Sequence, residues 1–149
     1  MSEHRATVHW NRQGTEFTHR EYTRDHVWKF DGGTEVRASA APQYLGNASL
    51  VDPERAFVAS LSSCHMLTFL ALAARGGFVV DDYRDEAVGF MERNVDKRIA
   101  ITRVVLRPQI SWGGEPPTSE QLDELHSNAH KHCFIANSVT TKVEVAPPA

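Results

Sequence analysis

A chain of 149 residues with 41% hydrophobic and 23% charged residues has ordinary globular composition, long enough to bury one core and far from the charge-rich regime of disorder. Sixteen Lys and Arg against nineteen Asp and Glu leave a formal charge of −3, which gives no pull toward nucleic-acid phosphates or an anionic membrane surface. Two cysteines, Cys64 and Cys133, exclude a disulfide scaffold of the small secreted kind but leave room for one bridge.

The first ten residues are polar and mixed in charge, without the apolar run or cleavage site of a signal peptide, so cytoplasm is the expected location. Ala6, Val8 and Trp10 alternate with Thr7 and His9, the period of a strand with one buried face. Gly14 and Asp31-Gly32-Gly33 punctuate this region. Val27–Phe30 and Glu35–Ala38 read as further strands around a turn, and the three predict an antiparallel meander ended by Pro42 and Gly46-Asn47.

Asp52-Pro53 starts a helix, because Asp accepts from free N–H groups and Pro at the first helical position forfeits no bond. The helix is predicted to run to about Arg75, where Gly76-Gly77 supplies left-handed dihedrals. Phe57, Leu61, Cys64 and Leu67 recur at helical spacing, and Met66–Ala74 is apolar nearly all round, as in a centrally buried helix. Its most apolar stretch, Leu67–Ala74, falls short of the roughly 20 residues of a membrane span, so no segment is expected to cross a bilayer.

Ala87–Arg93 reads as a strand, and Ile99–Trp112 as one long strand or a pair, with Pro108 at an edge or bulge. After the Gly113–Pro117 loop, Thr118 and Gln121 form a capping-box signature. Leu122, Leu125, Ala129 and Cys133 then mark one face of a second, amphipathic helix. Val139, Thr141, Val143 and Val145 alternate with polar residues as a closing strand before a Pro-containing tail. No repeat or composition shift divides the chain, so a single α+β domain over 1–149 is expected, its Ala-rich helix and N-terminal strands covered more fully in an oligomer.

Both cysteines fall on the apolar stripes of their helices, where they could meet. A lone cysteine there more often packs as a small hydrophobe. Two of them between packed helices could supply a thiolate that attacks a peroxide and a second thiol that captures the sulfenic acid as a disulfide. A buried thiol is inert without a positive group, and Cys64 lies about three turns into its helix, beyond the reach of the helix dipole. An arginine fork suits the task. Arg20, Arg24 and Arg37 lie among the N-terminal strands, and spacing does not select among them.

A rival constellation shares the second helix. His126 and His130 are i, i+4 and Cys133 is three further, a metal-ligand spacing that Cys64 or His65 could complete, although the Glu of H-E-x-x-H and any C-x-x-C are missing. His132 points elsewhere and is expected in solvent, while Met66 and Phe69 are expected in the core.

The segments Val51-Asp52-Pro53-Glu54-Arg55-Ala56-Phe57, Ser62-Ser63-Cys64-His65-Met66 and Ala129-His130-Lys131-His132-Cys133, with the closing alternating strand, resemble the OsmC/Ohr family of thiol-dependent peroxidases over nearly the whole chain. The resemblance implies an intertwined α+β homodimer with antiparallel sheets and active sites at the dimer interface. It implies reduction of organic hydroperoxides without metal, cofactor or prosthetic group, and turnover by a small or protein-borne dithiol reductant. Carried across, Cys64 matches the attacking cysteine, Cys133 the resolving one, Glu54 the acid that positions an arginine, and Arg24 that arginine, with Arg20 the competitor. Ten residues of straight helix put Glu54 about 15 Å from Cys64, so either the helix starts or bends after Glu54 or Glu54 serves as a first-turn charge. Phe134-Ile135-Ala136 stands where the hydroperoxide-resistance branch has Pro-Tyr-Ser after its second cysteine, which places the chain nearer the broader OsmC-like group. A non-catalytic dimer holding an apolar ligand, or a metal on His126, His130 and Cys133, is the alternative function.

Overall fold

Alternation in the N-terminal segment yields strands β1 (Ala6–His9), β2 (His26–Phe30) and β3 (Glu35–Ala38) in the computed structural model, which describes residues 1–147. The three pair antiparallel in that order, as the meander predicts, and the register sets Val8, Trp28 and Val36 side by side. The buried face expected of β1 is not formed within the chain: all four β1 residues are exposed, Val8 at 66%. The chain divides into two compact units, Met1–Ala56 and Phe57–Ala149. In the first, the loop after β3 is tied back by a parallel bridge from Ala38 to Val51 and by the Asn47 N–H donating to buried Ser39 Oγ at 3.0 Å.

Helix α1 (Pro53–Arg75) begins and ends where the sequence places it. Buried Asp52 accepts the Arg55 N–H at 2.8 Å and the Arg55 Nε–H at 2.6 Å. Burial alone would push the Asp52 carboxyl up, but the backbone and guanidinium of Arg55 outweigh it and hold the group below the usual carboxylate range. At the other end Gly77 takes φ +80°, where a side chain would be strained. No Asp, Glu, Lys or Arg interrupts α1 between Arg55 and Arg75, so the uncharged stretch exceeds Leu67–Ala74 and is by length and composition long enough to cross a membrane. In this fold Leu61, His65, Phe69 and Ala73 form its buried stripe.

The second unit adds β4 (Val80–Asp85), β5 (Val88–Arg93), β6 (Ile99–Leu106), β7 (Pro108–Trp112), α2 (Ser119–His132) and β8 (Lys142–Val145). Ile99–Trp112 is therefore a pair broken at Arg107, and its halves join different sheets: β4 pairs antiparallel with β7, and β5 with β6. The closing strand runs parallel to β6, so the sheets are not wholly antiparallel. Gly89 on β5 lies so close to α1 that an added Cβ would meet Val58 Cγ2 at 2.6 Å, which fixes the approach of strand to helix.

Two apolar clusters hold this unit together. Leu61 of α1 packs with Val104 and Leu106 of β6, while Phe69 and Ala73 of α1 pack with Ala129 of α2, flanked by Leu122 and Leu125. The capping box forms as read: Thr118 Oγ1 accepts the Gln121 N–H at 3.2 Å, and Gln121 Oε1 accepts the Thr118 N–H at 2.9 Å. The architecture is α+β, as expected from the order of elements.

Candidate active site

The second unit holds Cys64 and Cys133 as free thiols near enough that Cys64 influences the titration of Cys133. Cys64 sits mid-way along α1 and is half-buried; its carbonyl accepts from Thr68 Oγ1 at 2.9 Å. Cys133 is 1% exposed and lies at the C-cap of α2, one step past the helix that the sequence assigned it to. Its N–H donates to the His130 carbonyl at 3.3 Å, and its Sγ accepts the Ala136 N–H at 3.4 Å. Burial, then the contact with Cys64, push the Cys133 thiol up, and the Ala136 N–H offsets only part of this. Cys133 is thus a protonated thiol at neutral pH, suited to donating a proton and unsuited to first attack, which needs a thiolate.

Beside the thiols lies a pair of imidazoles. His65, next to Cys64 on α1, is 1% exposed, and its Nε2 is 3.0 Å from Nδ1 of His126 on α2. The rings are nearly parallel at 11° with centroids 5.3 Å apart, and His126 also stacks on Phe69 at 4.5 Å. Burial, then the neighbouring His126 and His130, hold His65 down at about 4; burial likewise lowers His126, against the raising pull of Asp123 and Asp85. Both rings are neutral at pH 7, so one nitrogen of the pair donates and the other accepts. His65 Nδ1 is buried without a partner among the described residues.

The metal constellation does not assemble. His126 spends Nδ1 on His65, His130 is exposed, and Cys133 is buried toward Cys64, so the ligand spacing on α2 is used for helix packing. Among the described residues no group of three His, Cys, Asp or Glu side chains has metal-holding geometry.

Arg24 and Glu54 both belong to the first unit, where they line one cavity of about 550 Å³ with Trp10, Phe17, Tyr22 and His26. The aromatic wall is close-packed: Phe17 and Tyr22 centroids are 5.2 Å apart, and Trp10 is 5.9 Å from Phe17, with Trp10 Nε1 donating to the Thr23 carbonyl at 2.7 Å. The Arg24 guanidinium lies over the Tyr22 ring, 3.7 Å from its centroid, and donates to the Tyr22 carbonyl at 2.7 Å and to the His19 carbonyl. It does not engage Glu54, whose Oε2 is buried with no partner among the described residues. Arg20 and Arg37 are exposed and do not line this cavity; of the three arginines Arg24 alone does. Glu54 is a first-turn residue of α1, which removes the option of a helix starting after it.

Two features near the thiols carry no motif. The His65–His126 contact hides because its partners are 61 positions apart, and His126 was more readily grouped with His130 at i+4. The bond from Ser62 on α1 to Asp85 spans 23 positions to a strand, β4, whose Val-Asp-Asp-Tyr-Arg-Asp text lacks an apolar signal.

The profile of the family described as OsmC-like protein matches residues 46–147. An OsmC-like protein of unknown function from Vibrio cholerae is 48% identical, with 98% of this chain and 99% of that one covered at a TM-score of 0.94. At lower identity the fold recurs in an organic hydroperoxide resistance protein OsmC from Legionella pneumophila (14%, 100% and 98% covered, TM-score 0.75) and in one from Elizabethkingia anophelis (19%, 97% and 93%, TM-score 0.72). No curated protein matches the chain. Matched over most of its length by sequence, and over nearly all of it by structure, the chain belongs to the family of OsmC-like proteins.

Proposed function

We propose that the protein is a thiol-dependent peroxidase of organic hydroperoxides, acting in the cytoplasm as a homodimer of one domain spanning 1–149. The Cys64 thiolate attacks one peroxide oxygen, the O–O bond breaks, and the departing alkoxide takes a proton to leave as an alcohol. Cys133 then attacks the Cys64 sulfenic acid; the S–S bond forms, and the hydroxyl leaves as water with the Cys133 proton. Two thiols are oxidised while the peroxide is reduced to alcohol and water. A dithiol donor, small or protein-borne, returns the disulfide to two thiols.

The observation that carries this reading is the asymmetric pair of neighbouring thiols: two free cysteines, one half-buried and one sealed in and held protonated. Family resemblance gives Arg24 the role of stabilising the thiolate and orienting the peroxide, and Glu54 that of positioning the arginine. The Legionella and Elizabethkingia proteins that share the fold are organic hydroperoxide resistance proteins. The apolar surroundings of the thiols favour apolar hydroperoxides over hydrogen peroxide. Homodimerisation accounts for β1 exposed on both faces and for α1, of whose most apolar stretch 22% is buried in the chain alone.

One equivalent of cumene hydroperoxide added to reduced protein should close a Cys64–Cys133 disulfide within minutes, seen by peptide mass spectrometry. In Cys133→Ser it should leave Cys64 trapped as the sulfenic acid or over-oxidised. Cysteines that stay unchanged would refute the peroxidase and leave a non-catalytic dimer that binds an apolar ligand.

A further inference from the structure

The two helices are joined by His65 with His126, beside the neighbouring thiols Cys64 on α1 and Cys133 at the C-cap of α2. His65 follows Cys64 directly on α1, and His126 precedes Cys133 by seven positions, two turns along the same face of α2. We propose that the His65–His126 pair is a positioning device for the thiols, locking α1 against α2 so that Cys64 stays aligned with Cys133 and the effective concentration of one thiol at the other is raised. This deepens the peroxidase reading in that it assigns residues to its resolving step.

Three observations support it. The contact is directional: a nitrogen-to-nitrogen distance of 3.0 Å with rings 11° from parallel fixes both the slide and the rotation of one helix on the other. It is clamped from a third side, because His126 also stacks on Phe69, one turn after His65 on α1. And it is not the easiest way to fill the space. A leucine pair would pack there without stranding a buried nitrogen, whereas His65 Nδ1 goes without a partner among the described residues. Apolar contacts in the Phe69, Ala73 and Ala129 cluster already supply cohesion between the helices; the imidazoles add alignment, which plain burial does not.

The test is the equilibrium of the full chain with glutathione, in which one glutathione disulfide and the two protein thiols give the protein disulfide and two glutathione thiols. It reads the effective concentration of the thiol pair without any hydroperoxide. His126→Leu should lower that concentration at least tenfold in protein that remains folded by circular dichroism. His126→Asn, which keeps a hydrogen-bonding atom near the Nδ1 position, should stay within about threefold of wild type. A Leu variant within twofold of wild type, or an Asn variant no better than Leu, overturns the proposal.

If His126→Leu does not fold, the wild type decides. Coupling between two sites is reciprocal, so closing the disulfide must shift the ring-nitrogen resonances of His65 and His126 in nitrogen-15 spectra of reduced and oxidised protein. Unchanged resonances refute the positioning role. Wild type that closes its disulfide with glutathione yet ignores cumene hydroperoxide refutes the peroxidase and leaves the positioning role standing; wild type that closes no disulfide with either overturns both.

Discussion

Ser62 Oγ donates to Asp85 Oδ2 at 2.5 Å, and the other oxygen of the same carboxylate accepts the Arg107 N–H at 2.6 Å. Asp85 is the last residue of β4, Ser62 lies two positions before Cys64 on α1, and Arg107 is the break between β6 and β7. One carboxylate therefore ties the helix of the candidate nucleophile to the point where a long β segment changes sheets. Asp85→Ala strands two donors and should cost about 2–4 kcal/mol in urea unfolding, since hydrogen bonds to charged groups contribute about 1.5–3 kcal/mol each and the exposed bond from Arg107 contributes less than the part-buried one from Ser62. Ser62→Ala removes one of the two bonds and should cost about half as much. An Asp85→Ala chain within about 0.5 kcal/mol of wild type would show that the tie carries no stability.

Acid should loosen the second unit through its imidazoles. His65 titrates at about 4 in the folded chain against 6.5 when unfolded, because burial and then His126 and His130 disfavour its charge. The unfolded state therefore binds more protons between those values. The stability contribution of neutral His65 is complete above pH 6.5, falls as pH drops, and is lost by about pH 4, with a limiting slope of about 1.4 kcal/mol per pH unit. His126, also lowered, acts in the same direction. Asp52, held below its usual range, is lost only below about pH 3.8, so it does not blur this window. Urea midpoints from pH 7.5 to 4 should decline in wild type and flatten in His65→Leu; a wild-type chain flat across that range contradicts the buried neutral pair.

Most of the fold was legible wherever an element carries its own signal. Asp52-Pro53 and Gly76-Gly77 bracket α1, and Thr118 with Gln121 starts α2, because caps are local chemistry between residues three or four apart. β4 was not legible: its acidic text is held by pairing with β7, from Asp85 with Pro108, 23 positions apart, to Val80 with Trp112, 32 apart, interrupted by one bulge. The direction of β8 was equally hidden, since Val143 and Val145 alternate the same way in a parallel as in an antiparallel ladder. For the site, the sequence singled out both cysteines, and both lie in the second unit as free thiols. Spacing left Arg20, Arg24 and Arg37 equivalent, and only the resemblance favoured Arg24 with Arg20 as competitor, because which side chain turns toward a cavity depends on the fold around it.

Identical substitutions on α1 should part company according to face. Leu61 is fully buried against Val104 and Leu106, so Leu61→Ala should cost about 2–5 kcal/mol in chain stability. Leu67 is 62% exposed in the single chain, on a face it shares with exposed Ser60, Ser63, Ala71 and Ala74. In the proposed homodimer that uncharged strip would face the second copy. Leu67→Asp should leave the far-ultraviolet circular dichroism unchanged while halving the mass seen by sedimentation. A Leu67→Asp protein that sediments as a dimer would remove this face of α1 from the interface.

Arginine substitutions test the site at its least local point. Arg24 stacks on Tyr22 and lines the cavity that also holds the unpartnered Glu54 oxygen, whereas Arg20 is exposed outside it. A guanidinium that stabilises developing charge on a thiolate or peroxide contributes on the scale of one electrostatic donor, about 10²–10³ in rate. Arg24→Ala should therefore lower kcat/KM for cumene hydroperoxide by that factor, and Arg24→Lys should recover little, because an ammonium cannot reproduce the fork. Arg20→Ala should stay within about twofold of wild type. The reverse order would move the role to Arg20 and leave Arg24 as a brace for the turn, where its bonds to the Tyr22 and His19 carbonyls already place it.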